Sequence, residues 1–218
     1  MADPWQFGWS EIIALLNVLA VMGAAGFAVW GVRTWRQERV ETRQAELAEE
    51  ALALMYRAQE VFDYVRSPAG FVGEGSTRKR IEGETEDDAK ERDARFVPIE
   101  RFNNERAFFD RVISIRPSLK AVFGEDSTKP LDKVLDLRWR VIGAVRMREN
   151  LEKRPNHFRT EDQREKHFES LERQNAIISK FPGNDDPINA KLSDALEEMK
   201  VTAEPLLASR LRRKAVKG

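Results

Sequence analysis

From Ile12 to Val32 the chain reads IIALLNVLAVMGAAGFAVWGV, 21 residues without a charged side chain. At 1.5 Å of rise per residue, a helix of that length covers roughly 30 Å, the thickness of a bilayer's hydrocarbon core. The core helix of a soluble protein is seldom apolar on every side for so long, because one flank normally meets water. Trp5 and Trp9 precede the run, and Trp30 and Trp35 stand at its end. Indole rings so placed match the aromatic belt at headgroup level. The run therefore predicts a transmembrane helix over 12–32, preceded by a short tail over 1–11.

Charge sets the expected direction of that helix. No Lys or Arg occurs before residue 33, where only Asp3 and Glu11 are charged, and Arg33, Arg36 and Arg39 follow at once. An excess of basic residues marks the cytoplasmic flank, so the expectation is an N-terminus outside and a C-terminal domain in the cytoplasm, at the inner (plasma) membrane. A cleaved signal peptide would carry a basic segment ahead of its apolar run. The small-residue stretch GAAGFA resembles a cleavage site but lacks that segment. Trp9, Asn17, Trp30, Arg33, Trp35 and Arg36 are the expected anchoring residues, with the arginines also suited to anionic headgroups. Asn17, Ala20, Ala24, Ala28 and Gly31 share one side, where small residues and an amide favour a neighbouring helix.

Beyond residue 32 the chain is strongly polar. Charged residues make up 34% of the whole and apolar ones 41%, and much of the apolar share falls in the first 32 residues. What remains suits amphipathic helices with narrow apolar stripes. Between Thr34 and Arg66 no Pro or Gly interrupts the chain. Within that span Leu47, Ala51, Leu54, Ala58, Val61 and Val65 step by four and three, a heptad seam widened by Leu52, Met55 and Phe62. A widened stripe fits a bundle helix, and the seam is also a candidate association face for a second copy or another protein. Ser67-Pro68 should end this 33–66 helix, because proline pushes its predecessor out of helical geometry.

Residues 67–97 read as a flexible charged loop, locally helical at most at its acidic end. Three glycines lead into Arg78-Lys79-Arg80 and then into the acidic run Glu82 to Asp93, without apolar periodicity. The pattern over 98–218 predicts more helices. One starts at Pro98, carries Ile99, Phe102, Phe109, Val112 and Ile113, and is interrupted at Pro117. A short turn holds Leu119, Val122 and Phe123. The next helix runs from Thr128 to Lys153 with Leu131, Leu135, Trp139, Ile142 and Val145 inward. A capping-box pattern at Thr160 opens a helix with Phe168, Leu171, Ile177 and Ile178, stopped by Pro182-Gly183. The last helix starts at Asp186-Pro187 and should kink or break at Pro205. No stretch alternates with period two. The expected fold is all-α, one N-terminal transmembrane helix continuing into an irregular cytoplasmic helical bundle.

Few residues suggest chemistry. Gly70 to Gly75 has the glycine spacing of a phosphate loop, but no lysine follows and no strand precedes. His157 and His167 have no carboxylate or second histidine at ligand spacing, and there is no cysteine, so no metal site, cofactor site or thiol nucleophile is expected. Asp87-Asp88 and Asp185-Asp186 are adjacent rather than opposed, and the second pair reads as a helix start. Trp139 between Arg138 and Arg140 reads as a core indole between solvated arginines. Lys+Arg and Asp+Glu balance at 37 each, and the basic tail (Arg210, Arg212, Arg213, Lys214, Lys217) lacks aromatic interleaving, so no nucleic-acid partner is expected. The expected role is a membrane-anchored interaction or scaffold protein, not an enzyme. Its partners would be the bilayer and either a second copy or another protein. The alternative is a regulator that binds a small molecule in the bundle, supported by the glycine-rich stretch and the arginines around Trp139.

Overall fold

The computed structural model describes residues 8–153, 158, 160–181 and 186–217, and of residues 10, 11 and 209–217 the backbone alone. Trp5, Asp3, His157, Pro182-Gly183, Asp185 and the side chains of the basic tail lie outside the described residues. Six α-helices and no strand occur among those described. The chain divides into two compact units, one ending at Ala45 and the other beginning at Glu46.

With no helix breaker between Trp9 and Val65 but the glycines of the apolar run, one helix, α1 (Trp9–Val65), supplies both units. Its first part forms a helix long and apolar enough to cross a membrane. Every residue from 12 to 40 is exposed, and a Cβ added at Gly23, Gly26 or Gly31 would meet nothing within 4 Å.

The second unit is a helical bundle. It comprises the end of α1, then α2 (Glu86–Asn104), α3 (Arg106–Phe123), α4 (Lys129–Glu152), α5 (Glu161–Ile178) and α6 (Pro187–Lys217). A short 3-10 turn, Glu125–Thr128, leads into α4, whose Pro130 sits in the first turn where no amide partner is required. Helix α4 is central, touching α2, α3, α5 and α6. Leu47, Ala51, Met55, Ala58, Val61, Phe62 and Val65 of α1 are buried in the core, with Leu52 and Leu54 packed against it. The heptad seam is thus covered by the chain's own helices. An aromatic ladder runs through that core. Phe62 meets Phe102 edge-on at 5.6 Å, Phe102 meets Phe109 at 5.6 Å, and Phe109 meets Phe108 at 4.9 Å.

Several expected boundaries move. The helix expected from Pro98 starts twelve residues earlier at Glu86. Thr85 caps it by accepting a hydrogen bond from the Asp88 amide at 3.2 Å, and three acids fill its first turn. Periodicity does not reveal this half because ion pairs hold it: Arg78 reaches Asp93 at 2.6 Å and Arg95 reaches Glu152 at 2.9 Å. The segment 67–97 is accordingly a loop only as far as Thr85. The helix through Phe102 and Phe109 breaks at Glu105, not at Pro117, which lies inside α3. Neighbouring buried Ile115 and Leu119 pin α3 on either side of the missing amide bond. Helix α6 likewise runs past Pro205 unbroken.

The phase of α4 also differs from the expectation. Leu131, Val134, Leu137, Val141, Ala144 and Val145 face inward, and Leu135 is only partly covered. Trp139 is 62% exposed. Its neighbour Arg138 is the one drawn in, lying over the Phe109 ring at 4.4 Å. Counting inward from Leu131 in steps of three and four reaches Trp139 or Leu137 by equal arithmetic, and the bundle buries the latter. Phe168 and Ile113, also expected inside, are 54% and 47% exposed.

Candidate functional site

Two arginines, buried although charged, organise the end of the second unit where α1 stops. Helix termini leave carbonyls without partners, and guanidinium groups satisfy several at once. Arg101 of α2 donates from Nη1 to the Tyr64 and Ser67 carbonyls at 3.0 and 2.9 Å, and from Nη2 to the Ala69 carbonyl at 2.6 Å. It closes the C-terminus of α1. Its remaining donors meet Glu74, with Nη2 to Oε2 at 2.6 Å and Nε to Oε1 at 3.1 Å. The Arg101 guanidinium holds the Glu74 carboxyl below the usual glutamate range, against the opposing effect of burial.

Arg66 does the same for α5. Its Nε donates to the Ile177 carbonyl at 2.8 Å and its Nη2 to the Ala176 carbonyl at 2.9 Å. Its Nη1 pairs with Asp186 Oδ2 at 2.8 Å. The other oxygen of Asp186 accepts from the Ile188 and Asn189 amides at 3.0 and 3.1 Å, which caps α6. Burial alone would push the Asp186 carboxyl up. The Arg66 guanidinium and the two amides outweigh it and hold the group below the usual aspartate range.

Two amides of the glycine-rich loop between them are taken by carboxylates. The Phe71 amide donates to Glu74 at 3.0 Å and the Gly75 amide to Glu100, so carboxylates stand where a phosphate loop would offer free donors. Gly73 and Gly75 have φ of +90° and +86°. A Cβ on Gly75 would lie 1.9 Å from the Asp93 carbonyl oxygen, so the loop closes on α2 only with glycine there. Further along, Arg78 bonds Glu84 at 2.8 Å, and the Glu84 side chain is only 3% exposed. Phe71 and Val72 are left in solvent.

Beside Arg101 lies a cleft of about 210 Å³ between α2, α4 and the end of α5. Val97, Pro98, Val145 and Ile178 form its walls, and Arg95 and Arg148 stand at its edge. Arg148 Nε donates to Glu152 Oε1 at 2.9 Å, and Arg95 Nε lies 2.9 Å from Glu152 Oε2. A shallower groove between α4 and α6 alternates Lys133, Asp136, Arg140, Lys191 and Asp194.

The remaining candidate residues fall apart in space. Trp9, Trp30 and Trp35 are exposed along the first unit, as are Asn17, Arg33 and Arg36, and Arg39 lies over the Trp35 ring at 4.4 Å. The proposed association face, Leu47 to Val65, is interior. His167 stands among rings, 5.0 Å from Phe158 and 6.0 Å from Phe168. No cluster of three metal-ligating side chains occurs among the described residues. Asp87 and Asp88 stand side by side in the first turn of α2 and form no opposed set, and Asp186 caps α6. Sequence reasoning missed Arg66 and Arg101 altogether. The only signal for the first was a basic residue in the last turn before Ser67-Pro68, a position suited to capping.

No family model, no curated protein and no solved structure matches this chain.

Proposed function

We propose that the chain is a single-pass protein of the inner (plasma) membrane that tethers a cytoplasmic helical interaction module. One observation carries the reading: residues 12–40 are exposed throughout, although 12–32 contain no charge. A helix that is apolar on every side is solvated by lipid and by little else. The arginines that follow it, against none before it, support an N-terminus outside.

An interaction role is favoured by what the bundle displays. With the seam from Leu47 to Val65 covered, the apolar side chains left on α4 are Trp139 and Met147, 62% and 51% exposed. Exposed Trp flanked by Arg140 and Arg146 has the composition of an interface centre, since Trp and Arg dominate such patches. The partner is another protein rather than a second copy meeting at the seam.

The test is made in native membranes, with a photoreactive residue in place of Trp139. The expected result is a crosslinked product heavier than the monomer that contains a second polypeptide, from a protein that resists alkaline extraction. Release of the chain by alkaline carbonate would sink the membrane assignment. Resistance to extraction without any crosslink from Trp139 or Met147 would sink the docking face.

A further inference from the structure

The cleft beside Arg101 is built unlike the other concavities of the bundle. Three arginines and no acid line it, and its walls are apolar. Arg101 has every donor engaged by Glu74 and backbone carbonyls, so it is structural. Arg95 and Arg148 differ. Both turn their Nε toward the same carboxylate, Glu152, and the second acid near Arg95, Glu91, is 64% exposed and so weakly coupled. The terminal nitrogens of Arg148 carry no hydrogen bond among the described residues. One partly buried carboxylate, Glu152, therefore serves the Nε of both guanidiniums, Arg95 Nη2 also bonds Glu91, and the donors without a hydrogen bond among the described residues are Arg95 Nη1 and the two Nη groups of Arg148.

A planar guanidinium with its Nη groups available matches the oxygens of a carboxylate or phosphate. The volume is below the roughly 300–1,000 Å³ of sites for drug-sized ligands, which limits the occupant to a compact one. The geometry points to this cleft as a binding site for a small organic oxyanion, its charged group held at Arg148 and Arg95 and its apolar body against Val97, Pro98, Val145 and Ile178. This goes beyond tethering and does not rest on it, because the site is built within the second unit alone.

The experiment titrates the full chain in nanodiscs with phenyl phosphate, benzoate and inorganic phosphate, following heat of binding. The expected result is saturable binding of phenyl phosphate or benzoate at one site per chain. The tighter of the two identifies the headgroup, and inorganic phosphate should bind about tenfold or more weakly. Arg148→Gln should weaken the organic probe about tenfold or more, a loss of at least one charge-assisted hydrogen bond. Ala94→Trp, at an exposed lining position, should block it without touching an arginine. Lys191→Gln in the groove between α4 and α6 should change nothing. Absence of saturable binding by either organic probe overturns the proposal. So does binding that survives both Arg148→Gln and Ala94→Trp, or inorganic phosphate binding as tightly as phenyl phosphate.

Discussion

Arg66 Nη1 lies 2.8 Å from Asp186 Oδ2, across 120 residues of chain, and the two side chains are 1% and 14% exposed. The same aspartate caps α6 and the same arginine closes α5, so three helix ends meet at one ion pair. A buried pair of this kind contributes little relative to an apolar replacement of both partners, yet breaking it from one side leaves a charge uncompensated.

That asymmetry gives the first prediction. Asp186→Asn keeps a capping oxygen but strands the Arg66 charge, and should destabilise the bundle by about 3–5 kcal/mol. Asp186→Ala removes the cap as well and should cost about 1 kcal/mol more. Arg66→Met combined with Asp186→Asn should cost less than the sum of the single changes. Urea unfolding of the parent, Arg66→Met, Asp186→Asn and the double variant checks the cycle, and strict additivity would contradict it.

Acid should loosen the same end of the bundle. Asp186 and Glu74 both have folded pKa values below their ordinary ones, 3.8 and 4.5. A depressed carboxyl contributes stability that is present above its unfolded pKa and lost as pH falls through the folded one. Unfolding midpoints should therefore be flat in these two groups from neutrality to about pH 5 and decline below about pH 4. Glu74→Gln should show a shallower decline than the parent over that window.

The two loop glycines with positive φ should separate cleanly. Gly73→Ala places its Cβ in open space and incurs backbone strain alone, about 1–2 kcal/mol. Gly75→Ala adds a collision with the Asp93 carbonyl, and relieving it means moving the loop from α2. Its loss should exceed that of Gly73→Ala, with hydrogen exchange rising at the amide of residue 75. Equal losses would show that the loop yields without resistance.

Aromatic residues on either side of Arg138 should respond in opposite ways. Phe109→Ala empties a fully buried position carrying two ring contacts and should cost about 3–5 kcal/mol. Trp139→Ala should alter stability by less than about 0.5 kcal/mol, as exposed positions do, while abolishing the crosslink from a photoreactive residue placed at Met147. A Trp139→Ala protein as unstable as Phe109→Ala would return the indole to the core.

The sequence made the helices legible wherever an apolar stripe had to be buried. The steps from Leu47 to Val65 and the cap at Thr160, which accepts from the Gln163 amide at 3.3 Å, both carry local signals. Thr85-Glu86-Asp87-Asp88 carried a comparable cap, but the ion pairs that follow it have no periodicity to extend the pattern. Pro117 and Pro205 misled for the reverse reason: a local rule was overruled by packing on both sides. The buried arginines and the cleft were hidden because nothing local distinguishes Arg101 or Arg148 from the other basic residues of this chain, and the last-turn position of Arg66 does not point to α5. Their roles depend on carbonyls and carboxylates contributed by distant helices.

The pairing of Arg66 with Asp186 also fixes an order of events during synthesis. The ribosome delivers the arginine long before its aspartate, so throughout the making of α2 to α5 that guanidinium lacks this counterion, and only backbone carbonyls, those of Ile177 and Ala176 among them, are there to receive it at the end of α5. The bundle becomes secure only as the first turn of α6 emerges. Chains that stop short of Asp186 are left with a buried guanidinium that lacks its carboxylate partner.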